Sequence, residues 1–190
     1  MPSLTFPLLT ERLLLRPFMD GDFDALHAMQ SREDVTRYLP WGPRSPEQTA
    51  EILSRITRMT GIDDDSDALR LATVLAATGA VVGDLSLWRI SREHRQGEIG
   101  FVIHPDHQGR GYAVEGCAAL LRISFEVYGF HRIVGRADAL NAASARTMER
   151  LGMRREAHFH ENELLKGEWS DEVVYAMLAT EWAARPQVGR

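Results

Sequence analysis

The segment Ile103-His-Pro-Asp-His-Gln-Gly-Arg-Gly-Tyr-Ala113 constrains this chain more than any other. The run Glu98–Ile103 before it reads as a strand, and His104-Pro105 ends that strand because proline lacks the donor a ladder needs. A helix follows from about Ala113 to Tyr128, with Val114, Cys117, Ala118, Leu121, Phe125 and Tyr128 on one stripe. Gly129 suits the left-handed position just past its end. Between strand and helix, glycines let main-chain N–H groups approach an anion, and the helix start adds roughly half a positive charge. Arg110 can add a point charge or fork to phosphate. Two readings fit: an anion site, or a turn whose glycines serve tight packing.

Three phosphate-binding patterns compete for this loop. The dinucleotide fingerprint fails, because Gly109 and Gly111 fit but Val114 occupies the third position. A P-loop fails as well, since Cys117-Ala118 stands where Lys-Ser/Thr must follow Gly116. The pattern that remains is Gln108-x-x-Gly111-x-Ala113.

The flanking sequence supplies the rest of a fold. Glu11–Pro17 reads as a strand, and Phe23 to Gln30 as a helix with Phe23, Leu26 and Met29 at helical spacing. Tyr38–Pro43 is a loop. Ser45-Pro46-Glu47-Gln48 is a helix start with a capping box, for a helix expected to reach about Met59. Gly61–Asp67 reads as an acidic loop. Leu71–Ala77 and Val81–Trp88 read as a hairpin turning at Thr78-Gly79, and Arg132–Ala137 as a short strand. Asn141 caps a helix through about Leu151, closed by Gly152, and Met153–Asn162 and Glu172–Leu178 form a last strand pair bridged by Lys166-Gly167. Strand runs interrupted by single helices predict an α/β fold, with a mixed sheet packed by helices.

Composition excludes several classes. A length of 190 residues, 44% hydrophobic, fits one domain spanning 1–190. Charge is −5, with no basic patch or stripe, which argues against direct nucleic-acid binding. No apolar run approaches the roughly 20 residues a membrane span needs, and Met1–Pro17 lacks a signal-peptide pattern, so a cytoplasmic protein is expected. Cys117 is the one cysteine, and the histidines lack the helical spacing of a zincin motif, so no metal is expected. His158 and His160 alternate on a strand, where they read as a solvated face or as lining of an acceptor cleft. Trp41 reads as a loop-anchoring aromatic or as a wall of that cleft.

The pattern at Gln108–Ala113 resembles the [Q/R]-x-x-G-x-[G/A] signature of the GNAT acetyltransferases. The resemblance extends to Asn141-Ala-Ala-Ser144 with Leu151-Gly-Met153, similar to the second half of the GNAT core, here about 97–153. Thr10-Glu-Arg-Leu-Leu-Leu-Arg-Pro17 and the closing Gly167-Glu-Trp169…Tyr175-Ala-Met-Leu178 resemble the RimJ/RimL-like branch, so nearly the whole chain is covered. The resemblance implies a mostly antiparallel sheet with splayed central strands, and transfer of an acetyl group from acetyl-CoA to an amine. It implies that backbone groups of Phe101, Val102 and Ile103 meet the pantetheine arm. The amides across Gln108, Gly109, Arg110, Gly111, Tyr112 and Ala113 would hold the pyrophosphate, and Asn141 would reach the pantetheine or the phosphates. As a bare residue, Asn141 is equally a helix cap.

The chemistry is attack of a neutral amine on a thioester. A lysine-like amine is neutral at pH 7 about once in 2,500 molecules, a cost of about 4–5 kcal/mol, whereas an α-amine costs about 1–1.4 kcal/mol. By resemblance Glu98 is the base, against the alternative of a solvated strand-end charge. Many family members carry a tyrosine acid four residues before the Leu-Gly-Phe glycine, and here that position is Met148, which cannot donate. Ser144 is the substitute expected from the branch, and its alternative is a first-turn serine bonding backbone. The acceptor is a peptide N-terminus or a small amine, with another acyl group, antibiotic detoxification or a non-catalytic CoA sensor as alternatives. An open sheet edge near the C-terminus leaves room for a homodimer.

Overall fold

A computed structural model describes residues 4–185. Strands β1 (Leu8–Leu9) and β2 (Leu13–Pro17) precede helices α1 (Phe23–Gln30), α2 (Glu33–Thr36) and α3 (Pro46–Ile56). Strands β3 (Thr60–Ile62), β4 (Asp67–Leu75), β5 (Val81–Ser91) and β6 (Gln96–Ile103) then lead to α4 (Tyr112–Glu126). The chain closes with β7 (Arg132–Asp138), α5 (Ala142–Arg150), β8 (Arg154–Leu165), β9 (Glu168–Leu178) and α6 (Ala179–Ala183). The sheet runs β1-β2-β4-β5-β6-β7-β9-β8, with β3 paired to β4. All its pairs are antiparallel except β6 with β7.

The local signals act as expected. Ser45 Oγ accepts from Gln48 N–H and Gln48 Oε1 accepts from Ser45 N–H, closing the capping box of α3. Asn141 caps α5 by accepting from Ser144 N–H at 3.1 Å, and Gly129 and Gly152 take φ +66° and +71° past α4 and α5. Lys166 and Gly167, at φ +52° and +93°, form the two-residue turn of the β8–β9 hairpin.

Each face of the sheet has its own core. On one, α4 and α5 bury Cys117, Leu120, Leu121 and Met148 against Leu85, Ile99, Ile133 and Tyr175. Gly116 brings α4 down on β5, since a Cβ there would meet Leu85 Cδ1 at 2.9 Å. On the other face, α1 and α3 bury Leu26, Met29, Leu53 and Ile56 against Ala72 and Val74. No helix among the described residues is long and apolar enough to cross a membrane.

Two expectations fail between residues 57 and 67. Helix α3 stops at Ile56, and β3 occupies part of the stretch read as helix end and acidic loop. Three residues centred on glycine carry no alternation of their own. They are a strand because β4 pairs with them, while Ile62 is buried and donates its N–H to Tyr128 Oη at 3.3 Å. The acidic run is a turn in which Asp63 Oδ1 accepts from Asp65 and Ser66 N–H, and Arg92 pairs with Asp64 at 2.6 Å. The short elements β1, α2 and α6 also escaped the sequence reading, being too brief to show a period.

Candidate active site

The site is built around a seam. Strands β6 and β7 share register at Gln96↔Arg132, Gly97↔Ile133 and Glu98↔Val134 only, although β6 continues to Ile103 and β7 to Asp138. Beyond Glu98 the two strands part. His104 N–H donates to Val82 O at 2.8 Å, so by strand alternation Val102 turns its peptide groups to β5 while Phe101 and Ile103 turn theirs to the opened side. Ile103 O already accepts from Gln108 Nε2 at 2.9 Å. Phe101 is therefore the residue with both main-chain groups aimed into the gap.

The loop after β6 leaves its donors unspent. Gly109 and Gly111 have φ +73° and +84°, a region glycine enters without steric cost. The first backbone bond of α4 runs from Glu115 N–H to Gly111 O, and none of the N–H groups from Gly109 to Val114 finds an acceptor among the described residues. Those donors at the positive end of a 15-residue helix form an anion cradle. Arg110 lies along the loop, its Nη2 donating to Asp106 O at 3.0 Å.

A clamp that sequence reading missed holds this loop. Glu115 Oε1 accepts from Thr10 Oγ1 at 2.6 Å and from Arg12 N–H at 2.7 Å, and Oε2 accepts from Arg12 Nε at 2.7 Å. Burial pushes the Glu115 carboxyl up, but the bonds from Thr10 and Arg12 outweigh it and hold it below the ordinary range. Arg12 also donates to Arg110 O at 3.0 Å and lies over the Tyr112 ring at 4.9 Å. Thr10-Glu-Arg12 carried a resemblance in the sequence, but nothing there said that it meets the loop.

At the mouth of the seam Glu98 is about a third exposed, with a side-chain exposure of 31%. Burial raises its carboxyl pKa, Arg136 at 3.3 Å pulls it back, and Glu172 pushes it up again. Arg136 bridges to Glu172 at 3.2 Å, and Glu172, itself buried, accepts from Asn162 Nδ2 at 3.0 Å. The network explains how a carboxylate survives here with a raised pKa and a nearby cation. Arg136 and Glu172 were also missed, since alternation in two distant strands gives no sign that they meet Glu98.

The same face carries a cavity of about 150 Å³ bordered by Leu26, Gln30, Trp41, Arg70, Asp84 and Gly100 among others. Arg70 Nε donates to Asp84 Oδ1 at 2.9 Å. Arg44 stacks on Trp41 at 3.8 Å and donates to Gln30 Oε1 at 2.8 Å. Burial lowers the Arg44 pKa, Arg70 and Arg55 lower it further, and Asp84 pulls it back up. The hairpin tip docks nearby, with Lys166 Nζ donating to Thr36 O at 2.6 Å.

The family model described as an acetyltransferase (GNAT) domain matches residues 12–154. The chain belongs to the GNAT acetyltransferase family. It is an N-acetyltransferase. Among its relatives, the uncharacterized N-acetyltransferase YnaD of Bacillus subtilis is 31% identical over 173 residues, 91% of this chain and 97% of that one. The crystal structure of a GNAT-family acetyltransferase from Bacillus anthracis superposes with a TM-score of 0.82 at 32% identity, covering 92% of this chain and 99% of that one. The fold is shared with spermidine N-acetyltransferase from Vibrio cholerae, solved with CoA and spermine, at TM-score 0.78 and 23% identity, covering 92% and 99%.

In this N-acetyltransferase the second half of the core gathers Asn141 and Ser144 at the start of α5, where β7 leads out of the seam. Asn141 Oδ1 is spent on the cap, while its Nδ2 has no partner among the described residues. Ser144 is half-buried, and its hydroxyl makes no hydrogen bond among the described residues. No hydrogen bond joins Ser144 to Glu98. Met148 is 1% exposed and packs on Gly135, where a Cβ would meet its Sδ at 2.6 Å. It is a core residue. Cys117 is fully buried too, and burial pushes its thiol up, so it is no nucleophile.

Proposed function

We propose that this enzyme moves an acetyl group from acetyl-CoA to an α-amine, of a peptide N-terminus or a small amino compound, as a member of the RimJ/RimL-like branch. The observation that carries the reading is the seam: a strand edge opened beside Glu98 and running up to an unspent amide cradle. The residues fit coenzyme A. The N–H groups from Gly109 to Ala113 hold the pyrophosphate, with Gln108 bracing the loop on Ile103 O. Phe101 pairs its main chain with the pantetheine amides, and Asn141 Nδ2 adds a donor from the far side of the seam.

Glu98 accepts a proton from the ammonium, directly or through one water, and the neutral nitrogen attacks the thioester carbonyl. A C–N bond forms, the tetrahedral oxyanion collapses, the C–S bond breaks, and the amide and CoA thiolate result. The nitrogen sheds its second proton to Ser144 as Ser144 passes its own to the thiolate, and Glu98 gives up the first proton to solvent. Raising the Glu98 carboxyl towards neutrality suits it to this task, because a general base is most effective with a pKa near the working pH. Holding both substrates in one slot supplies a further large share of the rate.

The cavity offers a polycation little. The carboxylate that borders it, Asp84, is already paired with Arg70 and is not free to hold a second or third ammonium. An α-amine also needs the least help from a base whose carboxyl is still partly solvated. The test is thiol release from acetyl-CoA with peptides bearing free N-termini, their N-blocked lysine-bearing counterparts, and spermidine. Turnover is expected with the free N-termini. Faster turnover of spermidine than of every α-amine would overturn the acceptor assignment, and preference for a longer acyl-CoA would overturn the donor.

A further inference from the structure

Outside the seam, the β8–β9 hairpin assembles a second cluster of chemistry-bearing side chains. His158 and His160 are two apart on β8, so both rings leave the same side of the strand. Between Phe159 and Glu163 the register with β9 slips, and Glu161 takes φ +50°. Beside that bulge, His160 also reaches Asp171 on β9. His158 Nε2 lies 2.8 Å and His160 Nδ1 2.9 Å from the same oxygen, Asp171 Oδ2, and the rings are 4.6 Å apart. The other carboxylate oxygen accepts Glu161 N–H at 2.9 Å, which fixes the carboxylate plane.

We propose that His158, His160 and Asp171 form a binding site for a divalent transition metal such as Zn²⁺, Co²⁺ or Ni²⁺. The three donor atoms lie within 4.8 Å of one another, so small turns of the two rings about a shared centre bring them onto bonds of about 2.0–2.2 Å. Two imidazoles and one carboxylate are the borderline donor set that selects such ions over Ca²⁺ or Mg²⁺. Water completes the coordination, because His160 has 78% of its side chain exposed. The rings hydrogen-bond to Asp171 through the nitrogens that would face the ion, so binding moves each proton to the solvent-facing nitrogen. The Glu161 N–H then serves as the outer contact that orients the carboxylate ligand.

The site is separate from the acetyl-transfer face. Asp171 and Glu172 are adjacent in β9 and so face opposite sides of the sheet, Glu172 towards Arg136 and Glu98. Asp171 O accepts Ala139 N–H at 2.9 Å, which ties the cluster to the connection between β7 and α5. A bound ion would thus brace the hairpin against the segment that presents Asn141 and Ser144.

The test is titration of the tag-free, metal-stripped chain with Zn²⁺ by calorimetry and with Co²⁺ by visible absorption. One equivalent is expected to bind, with melting temperature rising as Zn²⁺ is added. His160→Ala, at an exposed position, should fold normally and weaken binding by at least about tenfold. Asp171→Asn should do the same, and His107→Ala should leave binding unchanged. Absence of saturable binding, equal affinity in His160→Ala, or loss of binding in His107→Ala would each overturn the site.

Discussion

The two halves of the sheet that meet at the β6–β7 seam use their chemistry in different ways. On the β6 side the working groups are main-chain amides in one short stretch, Gly109 to Val114, freed by two glycines and a helix start. From the β7 side come side chains, Arg136 of β7 and Glu172 of β9, which surround the carboxyl of Glu98 where the paired stretch of β6 ends. Holding a diphosphate needs donors in a row, which a single loop can supply. Setting the pKa of a carboxyl needs charges of both signs around it, and these come from strands far apart in the chain. Anchorage is local and tuning is tertiary.

The sharpest way to break this contrast is to remove the proposed base. Glu98→Gln should lower kcat/KM by about 10²–10⁴ while leaving the KM for acetyl-CoA close to that of the parent. Steady-state kinetics with both substrates varied reads this directly. A loss below tenfold would take Glu98 out of the proton transfer. Next in size is Met148→Ala, which empties a buried site and should destabilise the fold by about 2–5 kcal/mol in denaturant unfolding. Because Met148 is buried and carries no group that can donate or accept a proton, kcat of the folded fraction should change far less than in Glu98→Gln.

On the loop side, Gly111→Val forces a β-branched residue to φ +84° and presses on Arg12 Nη2, 3.3 Å from the new Cβ. Strain of about 1–3 kcal/mol should appear as a KM for acetyl-CoA raised by about 5–150-fold, with kcat less affected. A kcat effect of equal size would show that anchorage and chemistry are not separable here.

The smallest effect sharpens the tuning claim. Burial raises Glu98, so the acid limb of kcat/KM should lie above the ordinary glutamate range. Arg136 lowers that pKa, so Arg136→Gln should move the limb to higher pH, whereas Glu172→Gln, removing a like charge, should move it to lower pH. The linked stability has the same origin. With its folded pKa raised, Glu98 binds its proton more tightly in the folded state, so stability falls as pH rises from the unfolded pKa through the folded one. Glu98→Gln should flatten that fall in a series of melts. Limbs that move together in the two variants would break the charge argument.

The loop at Gln108–Ala113, the caps at Ser45 and Asn141, the left-handed glycines and the Lys166-Gly167 turn were all legible from residue order. Each depends on neighbours within a few positions, where steric and hydrogen-bond rules act without the rest of the chain. The Glu98 position was legible as well, though not its company. Nothing in Arg136, Glu172 or Arg12 marks them before pairing: Arg136 meets Glu98 only because β7 lies parallel beside β6, and Glu172 because β9 inserts between β7 and β8. Strand β3 and the convergence of His158, His160 and Asp171 belong to the same class.

By itself, then, the sequence determined most of the turns, the starts of α3 and α5, and which short segment can offer free amides to an anion. Only the tertiary structure decided which charges surround Glu98, that Met148 is core, and that the sheet opens beyond Glu98. The physical reason is range. Backbone conformation and capping are settled by nearest neighbours, whereas burial and electrostatics sum over whatever the fold brings within a few ångströms.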